Sequence, residues 1–160
     1  RILVGSGIYI MLTMIFSSRY YNGGGLHMIE RCFEGEMVPV YGFLVKILFT
    51  AVALGAGFKG GEIVPTLCIG ATFGYVVSGL LGMPYGICTA VAMVCLFVSV
   101  TNCPVSTMFM AFELFGFEAM PYFVLGIAVS FTLSGYYGLY HSQRFVYSKI
   151  RTEYIDRKSN

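Results

Sequence analysis

Apolar residues fill six stretches of the chain, roughly 2 to 17, 37 to 58, 63 to 82, 84 to 101, 104 to 116 and 119 to 140, and most polar residues sit in the gaps between them. Long apolar runs with few charges predict membrane helices, because about 20 such residues cross the hydrocarbon core. The 104–116 run is too short for a simple crossing, so the pattern predicts that several elements are short, tilted or broken. In the gap from Asn22 to Glu36, Gly23-Gly24-Gly25 precedes Glu30, Arg31, Glu34 and Glu36. That order predicts a loop and then a short amphipathic helix at the surface. Pro39 suits the first turn of the following helix, where its missing N–H costs little. A polar tail begins at His141.

Composition turns this pattern into a class. The chain is 57% hydrophobic and only 11% charged, against about 25% charged in ordinary globular chains, and its mean hydropathy is +0.76. An ordinary soluble domain is excluded, and a polytopic, all-α integral membrane protein is expected. A net charge of +2 gives no reason to expect nucleic acid as a partner. No signal-peptide pattern is present. The chain starts within an apolar run, Arg1-Ile2-Leu3-Val4, without an initiator Met, which reads as the C-terminal part of something longer. Half of the ten basic residues lie in the tail, at Arg144, Lys149, Arg151, Arg157 and Lys158. By the positive-inside rule the C-terminus is expected in the cytoplasm. The cysteines at 32, 68, 88, 95 and 103 form no C-x-x-C pair, so neither a metal site nor a cofactor is expected; Cys68, Cys88 and Cys95 read as small hydrophobes.

Candidate chemistry concentrates in Gly57-Phe58-Lys59-Gly60-Gly61-Glu62-Ile63-Val64-Pro65, a charged, glycine-rich break that opens directly into an apolar helix. A helix starting at membrane depth leaves its first N–H groups without intrahelical partners and carries about half a positive charge at that end. The free N–H groups of Ile63 and Val64, with Pro65 supplying none, therefore favour an anion. Glu62 at such a depth costs on the order of 3 kcal/mol and needs a partner or a purpose. Lys59 is the candidate partner, and Glu62 is also a candidate for protonation during transport. Lys46, among apolar neighbours, either snorkels or faces a polar cavity. Thr101-Asn102-Cys103-Pro104 predicts a second helix start with Asn102 as N-cap, and Glu113 within that helix reads as a buried structural acid. Glycine and serine at four-residue spacing, as in Gly70 and Gly74 or Ser78 and Gly82, suit close helix packing in lipid. Tyr147 reads by composition as an interfacial tyrosine, and His27 and His141 as isolated loop histidines. A hydrolase using Ser6 or Ser106 with a histidine is a weaker alternative, for no G-x-S-x-G turn is present.

Several segments together resemble one family. Gly60-Gly61-Glu62-Ile63-Val64-Pro65, followed by Ile69-Gly70-Ala71-Thr72-Phe73-Gly74, resembles the third anion-binding motif of the CLC chloride channels and proton-coupled transporters, G-x-F-x-P with a small-residue helix after it. Gly23-Gly24-Gly25 resembles that family's glycine run before a short helix. Asn102-Cys103-Pro104 with Phe112-Glu113-Leu114 resembles its Ala-Pro and Leu-Glu helix, and Val146-Tyr147-Ser148 resembles the start of its final helix. Gly5-Ser6-Gly7-Ile8 mimics another of its motifs, but Tyr9 stands where the proline would, and the match is a coincidence.

The resemblance implies the second half of an inverted-repeat fold. Residues 1–140 would form the transmembrane half-domain, and residues 141–160 a final helix carrying the pore tyrosine plus a cytoplasmic basic tail. It further implies a homodimer, with helices at 105–116 and 119–139 in the interface and one pore per subunit. Glu62 and Ile63 would offer backbone N–H groups to the ion, and Tyr147 its hydroxyl. Glu62 stands where chloride carriers have an apolar residue, and Gly-Gly-Glu resembles the fluoride-exporting branch. The implied function is transmembrane transport of chloride or fluoride in a bacterial plasma membrane, with exchange for protons and a channel both left open by the residues. The gating glutamate would lie upstream; the alternative reading is an inert half-protein that needs its N-terminal half.

Overall fold

A computed structural model describes residues 2–16, 21–58, 60–140, 142–151 and 153–158. Among them are seven helices, six on the apolar runs and one, α2, in the acidic gap: α1 (Ile2–Ile15), α2 (Leu26–Glu34), α3 (Gly42–Ala56), α4 (Ile63–Leu81), α5 (Tyr85–Thr101), α6 (Pro104–Phe115) and α7 (Met120–Leu133). A two-stranded ribbon, β1 (Arg144–Tyr147) and β2 (Tyr154–Lys158), closes the chain. By length and composition, one described helix can cross a membrane, α4 with 19 residues. The chain divides into two compact units, residues 1–89 and 90–160, and the residues of α5 are shared between them.

In the first unit α1 packs on α3, and both α2 and α3 pack on α4. Gly5 is buried in α1 because a Cβ there would collide with the Cβ of Ala56 at the end of α3. Absence of a side chain thus lets the two helices meet. Beside this crossing, the ring of Phe49 meets those of Tyr9, Phe16 and Tyr21 at centroid distances of 5.2, 6.1 and 6.0 Å. On α4 the small residues Gly70, Ala71, Gly74 and Ser78 are all buried, as their spacing suggests. Gly57 ends α3 with φ 88, a left-handed conformation, and its N–H turns back to Leu54 O at 3.0 Å. The helix is thereby stopped, and the run before α4 is left irregular.

The second unit has its own core of Ala90, Val94, Val98, Ala111, Phe123 and Ile127. Burying a side chain such as Phe123 stabilises by roughly 1.5–3 kcal/mol. Here too a glycine sits at a crossing: a Cβ on Gly126 would lie 2.7 Å from Cys95 Sγ.

Four local expectations are corrected. Pro39 precedes α3 rather than starting it, its carbonyl accepting from Gly42 N–H at 2.8 Å. Asn102 does not cap α6; Cys103 holds that position, and the Asn102 amide turns away to donate to Tyr137 O at 2.7 Å. Glu113 is exposed, not buried. Finally, the tail forms the ribbon where a last helix is expected. Arg144-Phe145-Val146-Tyr147 is rich in aromatic and β-branched residues that favour extended backbone. Phe145 alone is buried on that strand, and Arg144 pairs with Asp156 across the ribbon at 2.9 Å.

Candidate functional site

The break before α4 borders a cavity of about 380 Å³ within the first unit. Gly60, Gly61, Glu62 and Pro65 form one side, with Tyr9, Tyr21, Lys46 and Phe49 among the residues opposite. Glu62 is the N-cap residue of α4, with φ −82 and ψ −16, and no side chain caps the helix start. Its carbonyl accepts from Thr66 N–H at 3.2 Å and from Thr66 Oγ1 at 2.8 Å, so the first backbone bond inside the helix comes only after Pro65. The amides of Ile63 and Val64 have no partner within α4, and the dipole's positive end points out of this turn.

Lys46 settles the choice left open by sequence. Its side chain is only 1% exposed, and it lines the cavity instead of snorkelling. The ammonium donates to Tyr21 O at 2.9 Å and to Gly23 O at 2.6 Å, which draws the glycine loop against α3. That loop also abuts α4. A Cβ on Gly24 would lie 3.0 Å from Val64 Cγ1, and one on Gly25, which has φ 84, would lie 2.6 Å from Cys68 Sγ. The glycine run is there because neither position has room for a side chain. Among the described residues the result is a largely apolar chamber with one ammonium, one carboxylate and an uncapped helix start on its walls, an arrangement suited to a small, partly dehydrated anion.

The structure brings Gly60, Gly61, Glu62 and Pro65 onto one cavity. Ile63 and Val64 follow on the same turn but do not line it, Ile63 being exposed and Val64 packed against Gly24. Tyr147 belongs to the second unit, at the end of β1, with its ring edge-on to Tyr154 at 6.1 Å. Lys59 and His141 lie outside the described residues. Ser6 donates to Leu3 O at 2.9 Å within its own helix, and Ser106 is exposed at the start of α6.

Sequence reasoning missed Lys149, which counts in the pattern only as one tail charge. The available signal was its setting, a lysine two residues after Tyr147 and four after Phe145. Its ammonium is held by Ser134 Oγ at 2.9 Å, Phe131 O at 3.0 Å and Asn102 Oδ1. Burial there lowers its pKa from the ordinary lysine value.

Residues 1–135 match the voltage gated chloride channel family. The chain is 41% identical over 129 residues to a chloride/fluoride channel protein of Pseudomonas syringae pv. tomato, covering 81% of this chain and 28% of that one. It is 32% identical over 127 residues to an uncharacterised protein of Methanocaldococcus jannaschii, covering 74% and 30%. Its fold is similar to the crystal structure of a CLC-type fluoride/proton antiporter, with a TM-score of 0.83, 29% identity, and coverage of 87% of this chain and 35% of that one. The chain therefore spans about a third or less of the relatives it matches. With residues 1–135 matched by the family and a relative 41% identical over 81% of the chain, the chain belongs to the CLC family of voltage gated chloride channels and transporters.

Proposed function

We propose that this chain is the second, anion-coordinating half of a CLC transporter that moves chloride or fluoride across a bacterial plasma membrane in exchange for protons. The observation that carries the reading is the cavity on which Glu62, Lys46 and the uncapped start of α4 converge. In this reading the backbone N–H groups of Glu62, Ile63 and Val64 and the hydroxyl of Tyr147 coordinate the ion, while Gly60, Gly61 and Pro65 shape the turn that presents them. Tyr147 is exposed, with its ring edge-on to Tyr154. Tyr147 lies beyond the 1–135 segment matched by the family.

Fluoride is the favoured ion. A protonated Glu62 donates a short, strong hydrogen bond to a small anion that gives up much hydration on entering, and an apolar residue cannot. The similar fluoride/proton antiporter favours the same choice, and the similar chloride/fluoride channel protein is compatible with either ion. A homodimer seated on α6 and α7 is consistent with the exposed Val105, Phe109 and Leu125 of those helices. The basic tail then faces the cytoplasm.

Anion flux through the full-length protein in liposomes tests the reading. Glu62→Ile should lower the fluoride-to-chloride flux ratio about tenfold, the equivalent of one charge-assisted hydrogen bond. An unchanged ratio removes Glu62 from selectivity. Exchange predicts uphill proton movement driven by an anion gradient; anion flux without it identifies a channel.

A further inference from the structure

Lys149 has no part in the coordination just proposed, yet all three of its ammonium donors are engaged. Two acceptors, Phe131 O and Ser134 Oγ, belong to the C-terminal end of α7. Carbonyls there lack intrahelical partners and carry the negative end of the dipole, so a cation is well placed. The third acceptor is Asn102 Oδ1, just past the end of α5. Asn102 stands in left-handed backbone with φ 55, and its amide is tied to Tyr137 O, which leaves the oxygen turned to the lysine. The ammonium also lies 4.2 Å from the centre of the Phe131 ring and 5.4 Å from that of Phe145. A second strap runs beside the first. Lys149 N–H donates to Tyr136 OH at 3.2 Å, which shares a 3.0 Å hydrogen bond with Ser148 Oγ. The Tyr136 ring is edge-on to Phe145 at 5.4 Å.

Tyr147 lies between these anchors, and its own contact is the edge-on ring of Tyr154, its register partner on β2, at 6.1 Å. Its side chain is 69% exposed, and the ribbon's register is irregular between Phe145 and Tyr147. One edge-on contact with Tyr154, itself exposed, and an irregular ladder constrain only weakly where the hydroxyl points. The backbone on either side sets it, held by buried Phe145 before and by Lys149 after. We propose that Lys149 is a positioning residue for anion coordination: its ammonium pins the Phe145–Lys149 segment to the ends of α5 and α7, and so fixes where Tyr147 presents its hydroxyl. The inference rests on the assignment of Tyr147 to the anion site.

The test is a double-mutant cycle in the full-length protein, read as the fluoride concentration giving half-maximal flux in liposomes, with thermal unfolding in detergent as the folding control. Tyr147→Phe should raise that concentration about tenfold, and Lys149→Met should raise it by a similar factor. Lys149→Arg should stay within about threefold of the original. In the Tyr147→Phe background, Lys149→Met should add less than about twofold, because the hydroxyl it positions is already gone. If Lys149→Met does not fold, Ser134→Ala removes one of the three acceptors and should give a smaller rise that also vanishes in the Tyr147→Phe background. Multiplicative effects in the cycle, or an unchanged half-saturation in the folded lysine variants, overturn the inference and leave the assignment of Tyr147 standing. A silent Tyr147→Phe overturns both.

Discussion

At the scale of single residues, Lys46 shows how an unfavourable choice becomes a fixed one. Taking an ammonium out of water costs several kcal/mol unless hydrogen bonds replace the lost hydration. Lys46 is held by the Tyr21 and Gly23 carbonyls, which in turn would be orphaned without it. Lys46→Met should therefore destabilise the full-length protein by about 2–6 kcal/mol, since each of the two carbonyls left without a donor costs roughly 1–3 kcal/mol. Thermal unfolding in detergent measures this, and a melting temperature within a degree of the original would show that the carbonyls find other donors. The same substitution removes a positive charge from the wall that also carries Glu62. At an effective dielectric near 20, a unit charge about 10 Å from an anion contributes on the order of 1–2 kcal/mol. Anion affinity, read by isothermal titration of fluoride, should then weaken about tenfold.

At the scale of elements, the crossing of α1 and α3 depends on Gly5, and the cost of filling it is open to measurement. Gly5→Val should destabilise by about 1–3 kcal/mol through overpacking against Ala56. Ala56→Gly in the same background should recover part of that loss, although alone it costs about 1 kcal/mol of helix propensity. Two independent, additive losses in the unfolding measurement would mean that these residues do not share the contact. Much of this layer was legible in the sequence, because every apolar run became a helix and the acidic gap became α2. The turn at 60–65 was legible as well, since its glycines, acid and proline all lie within one short segment. Partners far apart in the chain were not. Lys46 bonds carbonyls 25 and 23 residues away, and Lys149 reaches Asn102 across 47. No local pattern encodes such pairs. The ribbon escaped for a different reason: resemblance carried a helix onto residues whose aromatic and β-branched character favours extended backbone.

At the scale of the whole molecule, the geometry argues that these 160 residues do not transport by themselves. A helix of 14 residues, such as α1 or α7, is about 21 Å long, well short of the roughly 30 Å hydrocarbon core. Such elements persist at membrane depth only when neighbouring protein covers their ends. Large apolar side chains are also left uncovered, among them Leu3 at 87%, Leu80 at 81% and Leu133 at 79% exposed. Lipid can cover these faces, but it cannot donate hydrogen bonds to a dehydrated anion. One helix start and one hydroxyl supply only some of the donors that such an ion needs. The isolated chain reconstituted in liposomes should therefore give no selective fluoride or chloride flux above that of empty vesicles. Co-reconstitution with the upstream part of the full-length protein should restore it. Selective flux from the 160 residues alone would overturn this argument and would require donors supplied in trans, by a second copy of the same chain. A flux rising with the square of protein density would identify that case.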